Sequence, residues 1–467
     1  MSLRPGSVGI ASSRSAQGHE AETRDDRAFT WLLVFTLVLF LRPQDVFKPL
    51  EVLHLAEVSA IAGLLSLFMG RLRRREPLTK ITTEFGAVLA FGAVILLTAP
   101  FSLWIGGSVG VFTDLYAKVI LVYLLAVNAI SSPKRLERLT WVLVLAVGYV
   151  AFRAVLDYGR GVNLTGRGTR VRGSVGGIMQ NPNDLALNMV VFLPPAVYFA
   201  LGARTLPRKL IAAACALFMV GAIIASGSRG GFLGFAVMLL VLAAFLIRTR
   251  PLLVVAGVLA VMCALPVLPS NYWRRIASIT DSSKDDFGSA DARKTLIRES
   301  WQAYLENPVI GVGAGEFKDW NNARRIESWH EAHNVWLQVA AELGTVGLAV
   351  YLFLVLRGPI AVYQTRRLLR RAAGGGRARA APVLTPDERL QLDAHSAAMA
   401  ASIAGWLVCA LFASVAYNWT FYYLLALAAT PRDIIRARLP QPTRAGRLTS
   451  PAGVPKVVIA GGREVRA

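Results

Sequence analysis

The chain has 467 residues, of which 54% are hydrophobic and 17% charged, and its mean hydropathy is +0.48. Soluble domains carry about 45–50% apolar and about 25% charged residues, so this composition argues against a soluble globular enzyme and for a multi-pass membrane protein. The formal charge of +22 fits either a nucleic-acid partner or the basic loops that orient a membrane protein, and the position of the charges decides between them.

Residues 1–28 are polar, and Arg24, Asp25, Asp26 and Arg27 stand directly before the first apolar run, unlike a cleaved signal. They read as a cytoplasmic tail. Apolar runs near the length of a membrane span follow at 29–41, 51–70, 84–99, 113–130, 139–157, 184–202, 208–225, 230–247 and 252–268. A long loop, 269–333, separates these from runs at 334–356, 396–414 and 416–430. A cytoplasmic linker is expected over 357–395 and a disordered tail over 431–467. The predicted class is all-α: a polytopic membrane protein of about twelve helices with a large, partly helical outer loop. The final pair of runs, broken at Tyr417-Asn418-Trp419, reads either as two spans or as a re-entrant hairpin. Cys215, Cys263 and Cys409 all lie in apolar runs, with no disulfide framework and no metal-ligand spacing.

With the N-terminus inside, the inner loops hold Arg71, Arg73, Arg74, Arg75 and Lys80, then Lys134, Arg135 and Arg138, then Arg204, Arg208 and Lys209, then Arg248 and Arg250. Arg357, Arg366, Arg367, Arg370 and Arg371 extend the series. This is a positive-inside pattern that puts both ends in the cytoplasm and removes any need for nucleic acid. Three outer segments break it. Loop 158–183 carries Arg160, Arg167, Arg170 and Arg172; the turn Ser226 to Gly231 carries Arg229; and loop 269–333 carries Arg293. Orientation cannot explain arginines that work against it.

Four segments bear on chemistry. Gly173 to Asp184, with Asn181-Pro182-Asn183, reads equally as a capped helix start and as a close backbone approach to an anion. Arg229 stands at a helix junction among glycines that are expected to leave its guanidinium open, and arginine suits bidentate phosphate binding. The loop's own helix, 289–305, places Leu296, Ile297, Trp301, Tyr304 and Leu305 on one face at 100° per residue; Arg293 falls within that arc and is expected to need an anionic partner there. The glycine-rich Asn307 to Phe317 lacks the strand–turn–helix context of a dinucleotide site. Finally His330, Glu331 and His333 enter the tenth run. Their spacing admits two metal ligands without an obvious third, or a histidine that accepts a proton near neutral pH. Lys118 and Arg153, inside apolar runs, keep a transporter of a lipid-linked or small anionic solute as a reading of another class; a non-catalytic membrane assembly subunit is a further one.

In this order, the Asn181-Pro182-Asn183 entry, the Ser228-Arg229-Gly230 turn, the arginine ahead of Asn307 to Phe317, and His333 to Leu348 with Gly344 after ten intervening residues resemble the bacterial O-antigen ligase and polymerase superfamily. The resemblance implies a metal-independent, inverting glycosyltransferase of the inner membrane with no cofactor. It would take a glycan from undecaprenyl diphosphate at the periplasmic face to the lipid A–core oligosaccharide, or, in polymerases and protein O-oligosaccharyltransferases, to another repeat unit or a protein hydroxyl. Arg229, Arg293 and His333 are then the expected catalytic residues. Arg170, Arg172, Asn181, Asn183, His330 and Glu342 are expected to support substrate binding.

Overall fold

The computed structural model describes residues 26–165, 170–264, 266, 273, 289–326, 330–374 and 384–439. Its helices are α1 (Asp26–Leu41), α2 (Leu55–Arg73), α3 (Thr83–Thr98), α4 (Ile105–Ala129, π-helical over Val111–Tyr116), α5 (Pro133–Arg160), α6 (Pro182–Gly202) and α7 (Leu206–Ser226). They continue as α8 (Arg229–Leu246), α9 (Pro251–Ala264), α10 (Ser289–Glu306), α11 (Val335–Gly374), α12 (Pro386–Ala410) and α13 (Trp419–Arg438). A two-stranded ribbon, Leu164–Thr165 with Arg170–Val171, interrupts the series after α5. The protein is an all-α polytopic membrane protein.

Local chemistry sets the helix starts. Ser132 accepts from Arg135 N ahead of Pro133, and Thr385 forms a capping box with Glu388 ahead of Pro386. Each combination satisfies amides that a helix N-terminus leaves without partners, and proline supplies the helical φ at the first position.

Ten helices among the described residues are long and apolar enough to cross a membrane. Two predicted runs differ. The apolar part of α9 is shorter, Pro251–Ala260, and most of the predicted run beyond Ala264 lies outside the described residues. α13 has 20 residues, about 30 Å at 1.5 Å per residue, which is enough to span. Arg432, Asp433, Arg436 and Arg438 in its last turns keep it outside a purely apolar class. The break at Tyr417-Asn418-Trp419 is therefore a turn between two helices and not the tip of a hairpin.

The linker expected over 357–395 is largely helical. α11 carries on to Gly374 and α12 begins at Pro386, because leucine, alanine and arginine all favour helix; residues 375–383 and 440–467 lie outside the described part. Arg357 is thus a helix residue and not a loop charge. It and Arg432 bind Glu84, with Arg432 Nη1 and Nη2 each 2.8 Å from a carboxylate oxygen and Arg357 Nε at 2.9 Å. Glu84 is fully buried, so this cluster welds α3, α11 and α13 together at the basic end of the bundle. A buried carboxylate is stable only when so paired. Elsewhere Lys118 lies 3.5 Å from Glu57 and Arg153 4.0 Å from Asp157.

Near the other end, α8 packs against α12 through small residues. A side chain on Gly234 would collide with Cys409 Sγ, and Cys409 is a buried free thiol serving as a small packing group.

Candidate functional site

The end of the bundle opposite Glu84 gathers the residues that the positive-inside pattern could not explain. Asn181 caps α6, its Oδ1 accepting from Asn183 N at 2.8 Å. Asn183 then joins three elements: its Oδ1 accepts from Arg170 Nη2 at 2.8 Å and from Ser228 Oγ at 2.9 Å. Arg170, on the second strand of the ribbon, also donates from Nε to Ser226 O at 3.0 Å. The ribbon, the end of α7 and the start of α8 are thereby tied to the first turn of α6. Arg172 is exposed, with its backbone N–H on Asn163 O; Arg160 is exposed as well, and Arg167 lies outside the described residues.

α7 ends at Gly227, whose φ of 55° closes the helix in the left-handed region. Ser228 caps α8, accepting from Gly231 N at 3.1 Å. Arg229 is therefore in the first helical turn and not in a loop. It is 7% exposed, which corrects the expectation of an open guanidinium: Phe412 packs directly on Gly230, where a Cβ would clash with its ring. The same ring carries Arg293, whose guanidinium carbon is 5.6 Å from the centroid. Phe412, from the α12–α13 turn, thus adjoins both Arg293 and the residue that follows Arg229.

The face of α10 also differs from expectation. Leu296, Glu299, Ser300 and Ala303 are buried, whereas Ile297, Trp301 and Leu305 are 48–59% exposed. The helix packs its small and polar side onto a core of Val312, Phe317, Trp320, Ala332 and Ala341, and turns the bulkier stripe outward. Arg298 is exposed and Arg293 is half-buried.

Sequence reasoning missed Arg325 and Glu299, which organise this region. Arg325 Nε donates to Glu299 Oε2 at 2.9 Å, Nη1 to Phe317 O at 2.7 Å and Nη2 to His330 O at 3.2 Å. Glu299 Oε1 accepts from Ile326 N. The pair is buried and fixes the approach to His333. No periodic or motif signal marks it, because its partners are mostly carbonyls brought in by the loop.

The glycine-rich segment works as a packing surface. Val312 N donates to Ala341 O and Gly313 N to Glu342 O. These bonds require a break in α11 at Gly344 (φ 63°, ψ −163°). A Cβ on Gly344 would strike Val309 O, and one on Gly311 would strike the Glu342 carbonyl. The spacing from His333 to Gly344 is therefore the length of the short helix between the site and the kink. Glu342, 5% exposed, accepts from Tyr417 Oη at 2.7 Å and from Gln338 Nε2 at 3.4 Å, and Gln338 Oε1 accepts from Ala416 N. Its carboxylate is engaged by the chain's own groups.

His333 has φ 48°, and its N–H donates to Ser414 Oγ at 2.9 Å. Burial, then the charges of Arg293, His330 and Arg170, push the imidazole down to about 4. The ring is neutral, held so first by burial and then by the basic residues gathered around it. Glu331 keeps contact with solvent, but the protein around its carboxyl raises its pKa; Lys318 and a hydrogen bond to Ser414 oppose the rise. Glu316 is 2% exposed and also raised by burial, with Asp319 adding to the rise and Lys318 opposing it. Among the described residues no three His, Cys, Asp or Glu side chains are grouped as a metal site would need.

The arrangement combines three cations, a neutral imidazole with the Glu331 carboxyl beside it, and an aromatic wall, all at one end of a helical bundle. It can hold an anion and accept a proton beside it. Residues 214–352 match the family model described as O-antigen ligase. That segment contains Arg229, Arg293, His333 and Gly344, and leaves Arg170, Asn183, Phe412 and Ser414 outside. No curated protein matches the chain.

Proposed function

We propose that this membrane protein of the O-antigen ligase and polymerase superfamily is an inverting glycosyltransferase that takes a glycan from undecaprenyl diphosphate to the lipid A–core oligosaccharide. The observation that carries the reading is the gathering of Arg293 and Arg170 around His333, with Arg229 buried in the first turn of α8 next to Gly230, on which Phe412 of the α12–α13 turn packs. Breaking a sugar–diphosphate bond places negative charge on the leaving oxygen, and fixed cations there lower the barrier.

Arg229 and Arg293 hold the diphosphate, and Arg170 adds its charge from the ribbon. The acceptor hydroxyl oxygen attacks the anomeric carbon from the side opposite the diphosphate. The carbon–oxygen bond to phosphate breaks with its electron pair going to the diphosphate, and the hydroxyl proton goes to the His333 ring. The depressed basicity of His333 has a consequence for order. The bound diphosphate neutralises the same cations that suppress the ring, so donor binding raises the basicity of the group that must then take the proton. Glu342 and Asn181 serve the site by holding its walls, and Asn183 by orienting Arg170. His330 stands beside His333, and Arg172 lies further out.

The alternative acceptors, another repeat unit or a protein hydroxyl, use the same site. Transfer by the purified protein from lipid-linked donor, in EDTA, tests the reading. Arg229→Ala, Arg293→Ala and His333→Ala are each expected to abolish turnover, and full activity in any one removes that residue from the mechanism. Offering lipid A–core, repeat unit and a hydroxyl-bearing peptide in parallel distinguishes the acceptors.

A further inference from the structure

At the basic end of the bundle, far along the helices from His333, a cavity of about 630 Å³ opens where the first turns of α5, the end of α6, the start of α7 and the first half of α12 meet. Pro194 and Pro195 interrupt α6 on this side, and Gly202, Ala394 and Ala398 leave the walls thin. Its inner wall is apolar, formed by Leu136, Pro195, Tyr198 and Phe199, while its rim carries Lys134, Arg204 and Arg208 together with Glu137, Asp387 and Glu388.

The rim charges are not equivalent. Arg204 is spent on Asp387 at 2.6 Å, and Glu388 on Arg438 at 2.9 Å. Arg208 makes no ion pair among the described residues. Among the described residues Glu137 accepts from a neutral amide, Gln391 Nε2 at 3.0 Å, and makes no ion pair. Besides Lys134, which has interactions of its own, what remains is one guanidinium and one carboxylate facing a shared apolar pocket. An anionic ligand alone would meet the Glu137 carboxylate, and a cationic one alone would meet Arg208. A ligand that carries both signs satisfies both. At about 30 Å³ per water-sized group the space holds roughly 20 such groups, enough for a lipid head with its glycerol and first chain carbons but not for the chains. Beside the rim, Leu206, Leu210 and Leu390 are 60–71% exposed and give the chains an apolar way out into the bilayer.

We infer that this cavity binds the zwitterionic head of an aminophospholipid, with its phosphate on Arg208 and its ammonium on Glu137. The site is separate from the glycan-transfer site and does not depend on that reading.

The experiment uses the full chain, purified in detergent and stripped of lipid, with its unfolding temperature followed as ligand is added. Phosphatidylethanolamine should raise the temperature at low concentration and remain bound in native mass spectrometry. Phosphatidylglycerol of the same chains, which lacks the ammonium, should need at least tenfold more. Soluble glycerophosphoethanolamine, which lacks the chains, should also need at least tenfold more. Arg208→Glu and Glu137→Gln, both at the rim, and Ala398→Phe, which fills the cavity, should each abolish the preference. Equal potency of the two lipids overturns the zwitterionic assignment. Equal potency of the soluble head overturns the lipid assignment, and an unchanged preference in both rim variants overturns the site.

Discussion

The backbone N–H of His333 donates to Ser414 Oγ at 2.9 Å, tying the residue before α11 to the turn before α13 across 81 positions of sequence. That turn also supplies Phe412, against which Arg293 and Gly230 rest. The proposed base and the proposed anion-binding arginines are therefore positioned by one short segment that itself carries no charge.

Ser414→Ala removes the acceptor of the His333 amide, together with the hydrogen bond to Glu331, and leaves the His333 ring itself unchanged. We expect kcat to fall about tenfold, near the 1.4 kcal/mol of a lost hydrogen bond in a positioned group, with little change in donor KM. Steady-state kinetics on lipid-linked donor reads both; a change confined to KM would count against a positioning role.

The ring of His333 is held at about 4 against an ordinary 6.5. In the folded protein it stays neutral down to that pH, while the unfolded chain takes up a proton below 6.5. The stability that this group contributes is complete above pH 6.5 and declines as the pH falls toward 4. For activity, the acid limb of kcat/KM for the donor, which reports the free enzyme, is expected near pH 4. The limb of kcat, which reports the donor-loaded enzyme, is expected at higher pH, because the diphosphate offsets the nearby cations. A single limb at the ordinary histidine position in both profiles would refute this coupling.

Asn183→Ala leaves the Arg170 guanidinium and the Ser228 hydroxyl without their common acceptor. Loss of about 2 kcal/mol, roughly a 30-fold rise in donor KM, is expected. Asn183→Asp keeps an acceptor at the same place and should recover most of the loss, as measured by donor titration of each variant.

Gly344→Ala places a Cβ against Val309 O at a φ of 63°. The strain of a non-glycine residue there costs about 1–3 kcal/mol, and the clash adds to it. A lower unfolding temperature and reduced transfer are expected together, whereas Gly257→Ala, with open space around it, should be silent in both assays.

Glu299→Gln breaks a buried ion pair with Arg325 and leaves that guanidinium short of its charge partner. A local cost of about 3–5 kcal/mol is expected. Hydrogen exchange should rise over 317–326 and 330–334 while α3 and α6 stay protected; uniform protection would show that the pair does not hold the loop.

Much of the fold is legible in the chain itself. Apolar runs of span length mark the bilayer-crossing helices because each backbone polar group must be satisfied within its own segment, and caps such as Ser132-Pro133 and Thr385-Pro386 mark where helices begin. The outer arginines stood out because charge against the orienting pattern is costly without a partner. The same reasoning placed the apolar face of α10 wrongly and left α13 open. Hydrophobicity alone cannot distinguish a side chain packed on a loop from one facing outward, or a helix buried on all sides from a hairpin.

Composition and charge order therefore determined that this is a multi-pass helical protein with an unusual cationic end. Only the tertiary structure decided how that end is built: that Arg293 lies over Phe412, that Glu342 is bound by Tyr417 and Gln338, and that Glu299, Arg325 and Ser414 tie the loop and turn together. These roles depend on hydrogen bonds and ring contacts between residues far apart in the chain, whose geometry no local pattern records.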